Sequence, residues 1–365
     1  MVVDDSAVVR GLVARWLGEV PDIEVVSTQR NGRTALDALD ATYPDIIVLD
    51  IEMPEMDGLT ALPQILSRKP DTAVIMASTL TRRNAEISLK ALSLGARDYI
   101  PKPEAQHGMV TADDFRRDLL EKIRALAPRR PRERRTVPPA SRESAPAATT
   151  PRPRTLATPE PAPIILRRPS AVRPRVIVIG SSTGGPPALT AVLQTLGGDG
   201  ADVPILITQH MPPTFTGILA EHLARASGRP AAEGQDGEPI AAGRIYVAPG
   251  GRHMVVEPGA IPTIRLTDDP PVNYCRPAVD PLFESAVKVY GAATLAVVLT
   301  GMGHDGAEGA RAVAQAGGTV IAQDEASSVV WGMPGATARA GVCSAILPLD
   351  RIPGQLSRYL KGIKA

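Results

Sequence analysis

The stretch RVIVIGSSTGG, residues 175–185, decides how the rest of the chain is read. Val176 to Ile179 is an unbroken β-branched run, the mark of a parallel strand buried on both faces, and it stops at Gly180. Gly180-Ser181-Ser182-Thr183-Gly184 is a literal G-x-S-x-G, followed by Gly185, two prolines and an Ala/Leu-rich helical pattern through Leu196. Proline is tolerated in a first helical turn because those positions have no intrahelical N–H partner. Strand, glycine-flanked serine and helix make a nucleophile elbow, in which the turn lifts the Ser182 hydroxyl above the sheet and helix N-terminal N–H groups face a developing oxyanion. A Gly/Ser/Thr-rich strand-to-helix turn is equally the way a chain cradles an anion, so the loop alone leaves catalysis and binding open.

At 365 residues the chain suits two domains, each able to bury a core, with connecting material between them. Aromatic residues are only 3%, so the cores must be built from Ala, Val, Leu and Ile. The formal net charge of +1 argues against a nucleic-acid surface spread over the molecule. Cys275 and Cys343 form neither a C-x-x-C nor a metal spacing and read as reduced thiols. No stretch approaches the ~20 apolar residues of a membrane span, and the N-terminus has no basic-then-apolar signal pattern, so a soluble, cytoplasmic protein without membrane insertion is expected.

Residues 1–127 alternate strands with helical segments. Val2–Val3 ends a strand at Asp4 and Asp5, a helical pattern runs Ala7–Gly18, and a strand is expected near Ile23–Ser27. A helix near Arg33–Asp40, the strand Ile46–Leu49 ending at Asp50, the strand Ala73–Met76 ending near Ser78, and a fifth at Tyr99–Pro103 follow. That order predicts a doubly wound parallel sheet with its site at the carboxyl ends of the strands. Asp4, Asp5 and Asp50 all sit at such ends, where converging carboxylates repel unless a hard cation such as Mg²⁺ binds them. Ser78 and Lys102 end neighbouring strands, where a hydroxyl and an ammonium can meet a phosphoryl group on Asp50. This constellation resembles the receiver domain of two-component response regulators, although receivers usually carry more apolar residues before the acidic pair. The resemblance implies a flavodoxin-like fold, phosphorylation of Asp50 by a histidine kinase, Mg²⁺ held by Asp4, Asp5 and Asp50, switching by Ser78 and Tyr99, and a phosphoryl contact from Lys102.

Residues 128–174 are rich in Pro and Arg and contain no aromatic residue. Such a segment cannot bury enough apolar surface to offset its ordering entropy, so an extended, mobile linker is expected there.

Residues 175–365 hold the elbow. The strand Val203–Thr208 runs into Gln209-His210-Met211, which places His210 at a strand end near Ser182 as a candidate base. Pro212–Ser227 reads as an amphipathic helix with His222 on its surface. Ile240–Val247 and Met254–Glu257 read as hairpin-type strands around Pro249-Gly250-Gly251, with His253 beside the turn and able to face the cleft. The buried strand Thr294–Leu299 runs into TGMGHDG, where Asp305 is either a helix N-cap or the acid that orients His210. The residues leave two triads open: Ser182–His210–Asp305, and Ser182 with His304 and an earlier acid such as Asp268.

GSSTGG, TQHMPPTFT, RPAVDPLFESA (276–286), LTGMGHDGAEG and IAQDEASSVVWGMP together resemble the catalytic domain of chemotaxis-specific protein-glutamate methylesterases, and a receiver, linker and esterase in that order resembles the family over nearly the whole chain. Two doubly wound parallel-sheet domains follow, a flavodoxin-like receiver and a Rossmann-like esterase domain joined by a flexible linker. The resemblance implies Ser182 as nucleophile, His210 as base, Asp305 as orienting acid, and Thr183 and Met302 near the oxyanion. It also implies hydrolysis of glutamate γ-methyl esters and deamidation of certain glutamines on methyl-accepting chemoreceptors, gated by receiver phosphorylation, with no cofactor for the ester chemistry. His304 stands where the family usually has asparagine or aspartate. A phosphate-binding module built on GSSTGG is the rival reading; a transcription factor is disfavoured because no helix-turn-helix pattern follows the receiver.

Overall fold

In the computed structural model, residues 1–102, 111–128 and 164–362 are described. The N-terminal unit contains β1 (Val2–Val3), α1 (Ala7–Gly18), β2 (Thr28–Gln29), α2 (Gly32–Thr42), β3 (Ile46–Asp50), α3 (Gly58–Arg68), β4 (Ala73–Ser78), α4 (Arg82–Ser93), β5 (Asp98–Pro101) and α5 (Ala112–Leu126). Its five strands are all parallel in the order β2-β1-β3-β4-β5. Helix starts follow the sequence: Ser6, Asn31, Asp57, Thr81 and Thr111 each cap a helix by accepting an N–H from the first turn. β1 is only two residues long yet lies inside the sheet, paired with β2 on one side and β3 on the other.

The strand expected at Ile23–Ser27 is not formed. Ile23 and Val25 pack against the core, but the run joins the sheet only through Ser27 O, which accepts Val2 N–H at 3.1 Å, and the ladder begins at Thr28. Extended backbone without paired N–H and C=O groups does not make a strand.

The C-terminal unit contains β6 (Val176–Ser181), α6 (Gly185–Leu196), β7 (Ile205–Gln209), α7 (Phe215–Ser227), β8 (Ala231–Glu233), β9 (Ile245–Val247), β10 (His253–Glu257), β11 (Thr263–Thr267), α8 (Val279–Tyr290), β12 (Thr294–Val298), α9 (Ala307–Gln315), β13 (Thr319–Gln323), α10 (Met333–Arg339), β14 (Ala345–Leu347) and α11 (Ile352–Leu360). Seven parallel strands run β14-β13-β12-β6-β7-β9-β8, so both units are doubly wound parallel-sheet α/β folds. Alternate residues of β6 serve opposite faces: Ile177 and Ile179 join the layer of α6 and α7, Val176 and Val178 that of α8 and α9. The chain leaves β6 toward β7 on one side and returns as β12 on the other, so the elbow lies at the point where strand order reverses, the usual site of function in such sheets.

The hairpin expected between residues 240–247 and 254–257 is replaced by two separate pairings. β9 is buried on both faces and joins the parallel sheet beside β7 and β8, whereas β10 pairs antiparallel with β11 as a two-stranded ribbon. The Pro/Arg-rich stretch expected to be extended and mobile lies, up to residue 163, outside the described residues. Its end is fastened rather than free: Arg167 N–H donates to Cys343 O at 2.8 Å, Ser170 Oγ to Ala292 O at 2.8 Å, and Arg173 pairs with Asp202 at 2.7 Å. The two units touch along α4 and α7, where Arg82 meets Glu221 at 2.8 Å.

Candidate active site

The elbow is built from constraints on backbone approach. Gly184 takes φ +74° at the N-terminus of α6, and a Cβ there would lie 2.6 Å from Val329. At Gly301 a Cβ would come within 2.9 Å of the Ser182 Cβ, so a side chain at 301 would push the serine out of place. Ser182 N–H donates to Thr300 O at 3.0 Å, and Thr300 Oγ1 donates back to Thr183 O at 2.9 Å, which clasps the elbow to the loop after β12. From β7, the buried Gln209 accepts Ser181 Oγ–H at 2.7 Å and donates to Ser182 O at 3.0 Å. Ser182 therefore stands half-buried on a turn braced from both flanking strands.

His210 follows β7, its own N–H bonded to Ser181 O at 3.1 Å. Its Nε2 lies 2.7 Å from Asp305 Oδ2, and its Nδ1 faces Cys275 Sγ at 3.3 Å. Nε2 is thus engaged by the Asp305 carboxylate and Nδ1 by the Cys275 sulfur, and of the two Nδ1 has the weaker partner. Burial works against a charged ring, but the Coulombic pull of the Cys275 sulfur and the Asp305 carboxylate outweighs it and holds His210 up at about 10.

Asp305 is not the cap of the helix that follows it. α9 begins behind Gly306 with no side-chain cap, while Asp305 Oδ2 accepts Val279 N–H at 2.6 Å and Oδ1 accepts Asp280 N–H at 3.1 Å, so the carboxylate caps α8 instead. Gly306 N–H and Asn273 Nδ2 add bonds to Oδ1 of 2.9 and 3.1 Å. Burial resists its ionisation, yet His210 and these donors hold the carboxyl down at about 2.

Ser182, His210, Asp305 and Met302 line one cleft of about 760 Å³. Its far wall belongs to the N-terminal unit, through Tyr99 and the α5 residues Asp118 and Lys122 among others. Thr183, expected at the oxyanion, turns its hydroxyl the other way and donates to Asp98 Oδ2 at 2.7 Å. Asp98 also accepts Lys122 Nζ at 2.6 Å, and the Tyr99 ring stacks on Phe215 of α7 with centroids 4.6 Å apart. The alternative pair is not assembled: His304 is exposed, and Asp268 pairs with Arg252 at 3.0 Å. His253 is buried and structural, its Nδ1 accepting Ala278 N–H at 3.1 Å and its Nε2 lying 3.2 Å from Pro270 O. His222 is half-buried against α4 instead of facing open solvent.

In the N-terminal unit, Asp4, Asp5 and Asp50 bring carboxylate oxygens within 4.8 Å of one another. Lys102 Nζ bridges Asp4 at 2.7 Å and Asp50 at 2.8 Å. Burial, with Asp4 adding to it, pushes Asp50 up to about 6 against the pull of Lys102. Three converging hard-oxygen ligands with incompletely compensated charge suit Mg²⁺. Ser78 is buried on the neighbouring strand end and donates to Thr79 O at 3.1 Å, and Tyr99 is buried one residue beyond Asp98.

The CheB methylesterase family matches residues 177–356, and the response regulator receiver domain family matches residues 1–112. A protein-glutamate methylesterase/protein-glutamine glutaminase of group 2 operon from Bradyrhizobium diazoefficiens is 56% identical over 99% of this chain and 94% of its own length. The chain belongs to the protein-glutamate methylesterase family. A relative of the same description from Rhodopseudomonas palustris is also 56% identical, again over 99% of this chain and 94% of that one. The crystal structure of the Thermotoga maritima CheB methylesterase catalytic domain is 39% identical over 51% of this chain and 99% of its own, with a TM-score of 0.49. The family membership accounts for the receiver with its acidic cluster, which the receiver family carries as a Mg²⁺ site. Among the described residues no helix is long and apolar enough to cross a membrane.

Asn273, Asp280 and Gln209 join the site without a sequence signal of their own, and Cys275, which reads only as a reduced thiol, lies against His210. Asp280 lies within the RPAVDPLFESA segment and Gln209 directly precedes His210, so position offered a hint for these two. Nothing local marks Asn273 or Cys275 as neighbours of Asp305 and His210.

Proposed function

We propose that this protein hydrolyses glutamate γ-methyl esters on methyl-accepting chemoreceptors, and deamidates specific receptor glutamines, by a Ser182–His210–Asp305 mechanism under the control of Asp50 phosphorylation. The observation that carries the reading is the His210 imidazole, tied to Asp305 at 2.7 Å through Nε2 and sharing one cleft with Ser182. Asp305 holds the proton on Nε2, so Nδ1 takes the Ser182 hydroxyl proton once the ring has given up its own. The Ser182 oxygen attacks the ester carbonyl, the C–O bond to methoxide breaks, and His210 returns the proton so that methanol leaves. Water, activated by the same nitrogen, then frees the glutamate and restores Ser182.

A histidine kinase of the chemotaxis system is the phosphodonor for Asp50. Asp4, Asp5 and Asp50 would hold Mg²⁺, which would supply charge neutralisation for phosphoryl transfer, and the ester chemistry uses no cofactor. Lys102 and Ser78 contact the phosphoryl group once Asp50 carries it. The receiver forms one wall of the Ser182 cleft through α5 and β5, so the unphosphorylated form restricts access and phosphorylation biases that two-state interface toward opening. The protein acts in the cytoplasm, with no nucleic-acid partner and no insertion into the membrane. The test is methanol release from methylated receptor membranes. Release that rises with a small-molecule phosphodonor and is lost in Ser182→Ala is expected; no release from a chain demonstrably phosphorylated at Asp50 overturns the reading.

A further inference from the structure

Between β11 and α8 the chain makes a turn whose backbone is unusual at two successive residues. Val272 and Cys275 exchange backbone hydrogen bonds of 3.1 and 2.9 Å, and the residues between them, Asn273 and Tyr274, take φ of +51° and +62°. Paired left-handed residues are the signature of a type I′ turn, a conformation asparagine tolerates and tyrosine does not favour. Tyr274 is 90% exposed, so its side chain gives little to hold the turn in place. What the turn does achieve is at its other side chains. Cys275 Sγ is brought 3.3 Å from His210 Nδ1, and the Asn273 amide is brought between two buried carboxyls.

That amide spends both of its hydrogens there. Nδ2 donates to Asp305 Oδ1 and to Asp280 Oδ2, each at 3.1 Å. The other Asp280 oxygen is pinned by Gly309 N–H at 2.7 Å, so the Asp280 carboxyl cannot swing away from its neighbour. Asp305 Oδ1 is thereby fully occupied by Asn273, Asp280 N–H and Gly306 N–H, which leaves Oδ2 to face His210. Burial, the nearby Asp305 charge and a direct side-chain hydrogen bond between the two carboxyls push Asp280 up to about 7, against the donors Gly309 N–H and Asn273.

We infer that Asn273 is a positioning residue of the ester hydrolysis: its amide, held to the pinned Asp280 carboxyl, locks the Asp305 carboxylate in the rotamer that serves His210. The inference rests on the esterase reading above. Removing the donor frees Asp305 to turn toward other partners and loosens the imidazole. The loss falls on the chemical step and not on substrate binding, because Asn273 acts on Asp305 and not on the ester.

The test uses the full-length chain treated with phosphodonor, and two substitutions that spare the backbone. Asn273→Gly adopts a positive φ freely and simply deletes the amide. Asn273→Asp keeps the shape and the left-handed tolerance but replaces the donor with a third carboxyl. Outer-shell hydrogen-bond partners that orient metal ligands are typically worth about 10- to 100-fold in affinity or activity, and the same orienting part played toward Asp305 sets the scale here. The glycine variant should lose about tenfold in kcat with KM unchanged, and the aspartate variant should lose more. An aspartate variant that turns over like the parent, or a loss that appears in KM with kcat intact, overturns the inference. Fluorophosphonate labelling of the parent, absent in Ser182→Ala, separates the two levels. If the parent neither labels nor releases methanol, the esterase reading fails and this inference with it; if the parent does both and the variants match it, only the inference fails.

Discussion

Asp305→Asn is the substitution whose outcome the geometry specifies most closely. The carboxylate receives five donors: Val279 N–H and His210 Nε2 on Oδ2, and Asp280 N–H, Gly306 N–H and Asn273 Nδ2 on Oδ1. A carboxamide offers one acceptor oxygen and one NH₂, so whichever way it is placed the NH₂ confronts donors. Turned toward Oδ1 it meets three. Turned toward Oδ2 it meets two, of which one is an imidazole that can change tautomer. The second placement is cheaper; it leaves the Val279 N–H unpaired, a cost of about 1–3 kcal/mol for a buried donor. It also moves the imidazole proton from Nε2 to Nδ1, the nitrogen that must receive the Ser182 proton. A base held in the wrong tautomer loses about 10⁴-fold in kcat, equivalent to about 5.5 kcal/mol at ~1.36 kcal/mol per decade. Methanol release by the phosphodonor-treated variant measures the rate, and thermal unfolding should fall by several degrees alongside it. Residual kcat within tenfold of the parent would refute the reasoning, because it would mean that the Asp305–Nε2 bond does not set the tautomer.

Cys275→Ala removes one of the two influences that hold His210 at about 10; since the base works deprotonated, the acid limb of the kcat–pH profile should move to lower pH, and an unmoved limb counts against the assignment. Glu221→Lys places a like charge 2.8 Å from Arg82 across the domain contact; exposed pairs are worth about 0–1 kcal/mol, so methanol release without phosphodonor should rise about two- to fivefold and return toward the parent rate in the Arg82→Glu/Glu221→Lys double variant. Asp50 has its folded value raised to about 6 from an ordinary 3.8, so the folded state binds the proton more tightly. In chelator, receiver stability should therefore increase as pH falls from 7 through 6 toward 4, adding Mg²⁺ should stabilise at pH 7, and Asp50→Asn should flatten both responses in a melting series.

The sheets were legible because their signal is local. A run such as Val176–Ile179 can only be a strand buried on two faces, and a strand that stops at glycine before a proline-led helix leaves one chain path open. Ile23–Ser27 has the same kind of residues but lacks a backbone partner, and partnership is not written in the run itself. β9 and β10 were paired with each other on proximity alone, whereas burial on both faces sent β9 to the parallel sheet. Ser182, His210 and Asp305 could be nominated because each follows a recognisable strand. Their surroundings could not: Asp305 caps a helix that begins 26 residues earlier in the chain, and Thr183 finds its partner 85 residues away in the other unit. Such contacts depend on how separate elements dock, which spacing does not encode.

β5 has a further meaning for how proteins of this organisation arise. Directly after this four-residue strand, Lys102 grips Asp50, while Asp98 and Tyr99, two neighbouring positions in it, reach out to Thr183 and Phe215. The ion pair to Asp50 and the contacts to the elbow and α7 are thus carried by five consecutive residues of one domain. A receiver recruited from another regulator by gene fusion would bring the acidic cluster and its lysine intact. Without a carboxylate and an aromatic ring at the other end of that strand, it would lack these contacts to the Thr183 hydroxyl and the Phe215 ring. In this architecture the residues that touch the elbow are thus distinct from those of the acidic cluster, and the two sets could be inherited separately.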